Sequence, residues 1–309
     1  MAKKKAYRIW VYWLCRAAAA AVGIMPRRLA LGLARAAGRL GYLVISRQRN
    51  KAFENLRFAY SGRKTEPEIR RVAARVFENL AMTAAEVIRF PSWSAKNVEE
   101  RIEAGDVFET VRTLLSEGHG LIMMSGHFGN WELLAGIFGL KGFKGAVIGR
   151  RLYYEPYNRW IVSLRRSVGV GTLYRDEATR DLLKALGANQ IVGIVPDQDI
   201  DSLRGIFVDF FGRPAYTAVA PARLSLASGA PILPAFLIHR PGGRYEVVQG
   251  KVIRPRRDVA REQAVVDMTA EWMRQFEKVI EQYPEQWAWM HNRWKTQVPL
   301  SERKEAVAL

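Results

Sequence analysis

Apolar and polar positions change period several times along this chain, and the changes mark out its elements. Thr65, Glu66 and Glu68 around Pro67 have the form of a capping box with proline in the first turn. Ile69, Val72, Val76, Phe77, Leu80, Val87 and Ile88 then recur at 3.6-residue spacing, which predicts a long amphipathic helix. Asp106 with Glu109 opens another helix, which Gly118 stops. Beyond it, short apolar runs alternate with amphipathic segments. Strands are expected over Leu121–Met124, Ala146–Ile148, Thr172–Tyr174 and Ile191–Val195, with helices over Gly129–Phe138, Pro156–Val168 and Asp176–Leu186. A long loop follows, then a helix from about Thr217 to Ser228. Ile232–His239 and Tyr245–Val252 read as a hairpin across Pro241-Gly242-Gly243, and Glu262–Gln282 as a final helix. This alternation predicts an α/β fold with a mainly parallel central sheet flanked by helices. In such a sheet the ligand site lies at the carboxyl ends of the strands.

The first 62 residues have a different pattern. Trp10, Tyr12, Trp13 and Leu14, then Leu29, Leu31, Leu33, Leu40, Tyr42, Leu43 and Ile45, form two apolar stretches studded with arginine. Residues 1–71 carry 17 Lys/Arg against 3 Glu, a net +14 out of +18 for all 309 residues. Basic charge beside interfacial aromatics is the pattern of a segment lying on anionic lipid. From Tyr7 to Met25 a helix would measure about 28 Å, barely a membrane span. Arg16 near its middle would cost about 2.5–3.5 kcal/mol to insert. An amphipathic, hydrophobic helical membrane anchor is therefore expected instead, with Lys3, Lys4 and Lys5 holding the N-terminus in the cytoplasm. The division that follows is residues 1–62 as basic anchor, 63–299 as the α/β domain and 300–309 as a tail. A chain this basic also raises nucleic-acid binding. That activity would show a basic stripe on a recognisable module, whereas here the excess charge accompanies apolar residues, so no nucleic-acid partner is expected.

Few residues are suited to chemistry. Cys15, the single cysteine, lies in an apolar stretch and reads as packing, and no Gly-x-Ser-x-Gly elbow occurs. Of four histidines, His119 sits in a turn, His239 ends a strand and His291 lies in a Trp-rich tail. His127 differs, since it follows the Leu121–Met124 strand through Ser125-Gly126 and precedes a helix whose first turn carries Glu132. A carboxylate holding one imidazole nitrogen fixes the tautomer and raises basicity at the other, which can then deprotonate a hydroxyl. His127, Glu132, Asp197 and Asp199 as ligands of a metal-dependent hydrolase are a rival set, but histidines are too few, and no metal is expected.

The Ser-Gly-His-Phe-Gly-Asn-Trp-Glu-Leu run at 125–133 resembles the His-x4-Asp/Glu signature of the glycerolipid acyltransferase superfamily, above all its lipid A (lauroyl/myristoyl) branch. Gly149-Arg150-Arg151-Leu152-Tyr153 is similar to that branch's basic block, and Val195-Pro196-Asp197-Gln198-Asp199 to its acidic turn. Val208 to Ala215 resembles its Phe-Phe-Gly block, and Tyr283 to Trp294 its C-terminal signature. The resemblance implies a general base, His127, relayed by Glu132, with Arg150, Arg165 or Arg166, Asp197 and Gln198 at the substrate. It implies O-acyl transfer from an acyl thioester (acyl carrier protein or coenzyme A) with no other cofactor. The acceptor would be a glycolipid or lysolipid hydroxyl, such as a lipid A precursor, a mannosylated phosphoinositide or a lysophospholipid. The expected place is the cytoplasmic face of a bacterial inner membrane. Phe207, Phe210 and Phe211 are expected to pack core.

Overall fold

The computed structural model describes residues 3–175 and 178–298; the expected 300–309 tail and Asp176 lie outside them. The chain opens with helices α1 (Lys3–Ile24) and α2 (Arg27–Val44), parted at Pro26, which removes a backbone donor and restrains the residue before it. Two further helices follow, α3 (Ser46–Ala59) and the long α4 (Glu66–Ile88), then α5 (Ala95–Arg101), β1 (Ile102–Glu103) and α6 (Val107–Ser116). The α4 start is the expected capping box, with the Thr65 backbone N–H donating to Glu68 Oε2 at 2.7 Å. From there the chain alternates through β2 (Leu121–Met124), α7 (Trp131–Leu140), β3 (Gly145–Gly149), α8 (Glu155–Ser167), β4 (Gly171–Tyr174), α9 (Ala178–Gly187) and β5 (Ile191–Ile194). It closes with β6 (Gly205–Asp209), β7 (Pro214–Ala218), α10 (Ala220–Ser228), β8 (Ile232–Arg240), β9 (Arg244–Gln249) and α11 (Arg261–Gln282).

Seven strands form one sheet in the order β1-β9-β8-β2-β5-β3-β4, parallel throughout except at the β8–β9 hairpin. Alternate residues of its central strands face opposite layers. Ile122, Met124, Val192, Ile194 and Phe236 join a core with α10 and α11. Met123, Leu233, Ala235 and Leu237 join another with α6 and α7. The expected mainly parallel α/β sheet flanked by helices is therefore present.

Two expectations are corrected. The supposed loop before α10 contains a two-stranded antiparallel sheet, β6 with β7, in which Phe207 lies opposite Tyr216. Thr217 belongs to β7, not to a helix, and α10 begins only at Ala220, with Pro221 in its first turn. Helix α3 had no counterpart in the sequence reading. Its basic composition hid an apolar face of Ala52, Phe53, Leu56 and Ala59, all buried in the main core.

Helix α4 fastens α1 and α2 to the sheet. Gly38 of α2 lies so close to α4 that a side-chain carbon there would stand 2.6 Å from the Phe77 carbonyl. The buried Glu86 carboxylate pairs with Arg27 and accepts from Trp93 Nε1 at 3.0 Å and Tyr245 Oη at 3.1 Å. Arg89 donates to the carbonyls of Val22, Gly23 and Met25 at 2.6, 3.0 and 2.6 Å, satisfying acceptors that the end of α1 leaves unpaired. Among the described residues no single helix is long and apolar enough to cross a membrane; α2 and α3 together pass on length and composition, but an 86° bend separates them.

Candidate active site

Strands β2 and β5 run parallel in register, with Met124 opposite Ile194. Three residues beyond each partner stand His127 and Asp197. Equal steps past adjacent strand ends thus bring an imidazole and a carboxylate together at the carboxyl edge of the sheet, where an α/β fold gathers ligands. The turn that carries His127 needs its glycines. At Gly126 a side-chain carbon would meet the Phe276 ring at 2.2 Å. Gly129, at φ +55°, would place one 2.1 Å from the Leu237 carbonyl. The C-terminal segment pairs with this turn: Gly129 N–H donates to the Gln286 carbonyl at 2.8 Å, and Ala288 N–H to the His127 carbonyl at 3.0 Å.

Asp197 is fully buried and grips His127 twice. Its Oδ2 accepts the His127 backbone N–H at 2.8 Å and the Trp287 indole N–H at 2.9 Å, while Oδ1 lies 2.8 Å from His127 Nδ1. Burial by itself would raise the carboxyl pKa. The His127 charge and hydrogen bond outweigh it, with His291 and Trp287 adding to the effect, and hold Asp197 well below the usual carboxylate range. An ionised carboxylate only accepts, so Nδ1 carries the proton and Nε2 the lone pair. Burial likewise pulls the His127 pKa down, but the Asp197 charge and hydrogen bond, aided by the Glu132 charge, raise it above 6.5.

The carboxylate bonded to His127 is thus Asp197, where the sequence reading had Glu132. Glu132, on the first turn of α7, is taken by Arg165 of α8, whose Nε and Nη2 donate to its two oxygens at 2.8 and 2.5 Å. A planar guanidinium matches a carboxylate two-for-two, so the pair is strongly directed. Of the two candidate arginines, Arg165 reaches this site and Arg166 points outward, exposed. Gln198 sits with its Nε2 3.4 Å from His127 Nε2 and 3.4 Å from His291 Nδ1. Arg150 lies at the rim, exposed. Phe210 and Phe211 are buried in the main core, and Phe207 packs edge-on to Tyr216.

His127, Glu132, Arg150, Arg165 and Gln198 line one cavity of about 960 Å³. Its lining also includes apolar Leu134, Phe138, Phe143, Val147, Val170 and Leu183. Polar groups beside apolar walls in one cavity suit a long-chain ligand with a reactive polar end. The rival metal set does not assemble, since Glu132 is held by Arg165, and Asp199 by the backbone N–H and hydroxyl of Thr296 at 2.7 Å each. Another group does. His291, which no local pattern sets apart, lies with its ring centroid 5.0 Å from that of His127. Its only signal was its place in the Trp-rich C-terminal block that also supplies Trp287.

Residues 2–296 match the family of bacterial lipid A biosynthesis acyltransferases. The chain belongs to this family. Like other lipid A biosynthesis acyltransferases, it is an enzyme of acyl transfer, and its acceptors are lipids. It is 25% identical to the lipid A biosynthesis lauroyltransferase of Escherichia coli K12, over 94% of this chain and 92% of that one. It is 24% identical to the lipid A biosynthesis acyltransferase of Haemophilus influenzae, over 91% and 86% of the two chains. It is also 24% identical to the phosphatidylinositol mannoside acyltransferase of Mycolicibacterium smegmatis, over 68% and 67%.

Proposed function

We propose that this acyltransferase moves a fatty acyl chain from a thioester to a hydroxyl of a glycolipid, with a lipid A precursor as the leading acceptor. One observation carries the reading: His127, its Nδ1 proton held by an ionised Asp197, offers Nε2 to an apolar-walled cavity. Nε2 removes the acceptor hydroxyl proton, and the alkoxide attacks the thioester carbonyl. The imidazolium that forms is stabilised by Asp197, with the Glu132 charge adding from a distance. Collapse of the tetrahedral intermediate expels the thiolate, which takes the proton back from His127. The Glu132–Arg165 pair fixes a guanidinium in the cavity wall, where it can meet the oxyanion or a phosphate. In this scheme Glu132 orients Arg165 and biases His127 without bonding to it, and the acyl thioester is the only co-substrate required.

The same reading takes the protein to an anionic membrane surface, at the cytoplasmic face of the bacterial inner membrane. Trp10, Trp13 and Leu14 of α1 are 77, 61 and 71% exposed, and Leu29, Leu33, Leu40 and Leu43 of α2 are also open. Interfacial aromatics beside arginines favour the headgroup layer. Tyr153, 91% exposed, extends this face towards the rim that holds Arg150, and Arg8 lies over its ring at 5.3 Å. The anchoring segment narrows from residues 1–62 to α1 and α2, because α3 packs into the main core.

The test is transfer by the purified full chain, offered acyl carrier protein and coenzyme A thioesters with lipid A precursor, phosphatidylinositol mannoside or lysophospholipid. A glycolipid product heavier by one acyl chain, read by mass spectrometry, supports the reading. A folded chain that acylates neither glycolipid overturns it.

A further inference from the structure

We infer that His127, Asp197 and His291 form a binding site for a single Zn²⁺-class ion, one that silences the enzyme by occupying its base. A ring nitrogen of each histidine and a carboxylate oxygen of Asp197 lie within 4.8 Å of one another. Two imidazoles and a carboxylate are the donor set Zn²⁺ favours, and three protein ligands leave a fourth position for water. Of the three ligands, His127 also lines the cavity.

The two Asp197 oxygens have separate duties. Oδ2 is fixed by two N–H donors, the His127 backbone and the Trp287 indole, neither of which a metal would need to disturb. Among the described residues Oδ1 bonds only to the His127 ring, so it can exchange a proton-bearing nitrogen for a cation. His291 supplies the missing ligand. Its Nε2 is buried with no hydrogen-bond partner among the described residues, an arrangement that is costly for a polar atom unless something binds it. The backbone is firmly held on either side of that ring, since Asn55 Nδ2 donates to the carbonyls of Trp289 at 2.6 Å and His291 at 2.7 Å. Ligand positions are therefore nearly preset, and ångström-scale ring movements close the shell to Zn–N distances near 2.1 Å.

Binding at Nδ1 moves the His127 ring proton to Nε2, so the nitrogen that would act as base loses its free lone pair, and the cation replaces the Nδ1–H···Oδ1 hydrogen bond. The inhibitory consequence rests on the reading of His127 as the base; the binding does not.

The test uses the tag-free full chain in detergent, stripped with chelator and titrated with Zn²⁺ by calorimetry, and with Co²⁺ by visible absorption. One ion per chain is expected, with a tetrahedral cobalt spectrum and acyl transfer that falls as the site fills and returns with chelator. His291→Gln keeps a polar side chain but removes the nitrogen ligand, and His127→Ala removes another. Each should weaken Zn²⁺ binding by at least about tenfold. His119→Gln, on a surface turn, should leave it unchanged. Absence of binding to the wild-type chain overturns the inference, as does undiminished binding in both cluster variants. A chain that transfers acyl groups but binds no Zn²⁺ refutes this site alone, and one that binds Zn²⁺ but transfers nothing refutes the proposed reaction alone.

Discussion

Asp197 holds His127 at two points, the backbone N–H through Oδ2 and ring Nδ1 through Oδ1, each at 2.8 Å. One carboxylate therefore sets both the turn that carries the imidazole and the tautomer it adopts. The Glu132–Arg165 ion pair stands beside it as a separate unit.

That separation gives unequal mutational effects. His127→Ala removes the proposed base and should lower kcat by about 10²–10⁴. Glu132→Gln leaves the base and its Asp197 contact intact, so a smaller fall in kcat is expected, of about 10–100-fold, with a rise in KM from the released Arg165. Steady-state transfer assays compare the two. Equal losses would return Glu132 to the role of direct partner.

Much of this was legible in the sequence, and the part that was not has a physical reason. The β2, β5 and β8 runs were readable because buried strands are short and apolar, and the α4 start because its cap is local. Helix α3 was missed because its arginines stand beside a narrow apolar face. His127 and the Arg165–Arg166 pair stood out as candidates from their motifs. Pairing His127 with Asp197, 70 residues away, depends on the register of two parallel strands, which no local pattern carries. Separating Arg165 from Arg166 was a matter of helix phase: one side chain faces Glu132 and its neighbour faces out.

Backbone crowding at the catalytic turn should be unforgiving. Gly129→Ala meets a positive φ and a carbonyl at 2.1 Å together, so either the turn moves or the fold weakens. A drop in Tm accompanied by loss of transfer is expected, since overpacking costs about 1–3 kcal/mol and left-handed strain adds to it. Thermal melts and transfer assays check this. A variant with wild-type Tm and rate would show that the turn is free to relax.

Two neutral histidines should make the fold sensitive to mild acid. Burial pushes His239 down to about 3 and His291 to about 4. The unfolded chain binds these protons more readily than the native one, so stability is full above about pH 6.5 and falls as pH drops from there towards 4. The slope is up to about 1.4 kcal/mol per pH unit for each histidine. His239→Asn should flatten part of it in denaturant titrations at several pH values. An unchanged slope would mean that His239 is not buried in its neutral form.

The α1–α2 unit should depend on Arg89. Arg89→Met removes three charge-assisted bonds to the end of α1 and should cost about 2–4 kcal/mol. Proteolysis is expected to begin within α1 while the sheet stays protected. Cleavage at the wild-type rate would show that the Arg89 bonds do not hold α1 in place.

The most direct test is the pH–rate profile of acyl transfer for the wild-type chain beside Asp197→Asn. The proposed reaction needs neutral His127, whose pKa is raised above the usual imidazole value, so the wild-type rate should climb with pH through that raised pKa to a plateau. Removing the Asp197 charge should lower the plateau by about 10²–10⁴ and move the midpoint to lower pH, with Tm recorded alongside. An Asp197→Asn enzyme with the wild-type plateau and midpoint would contradict the account.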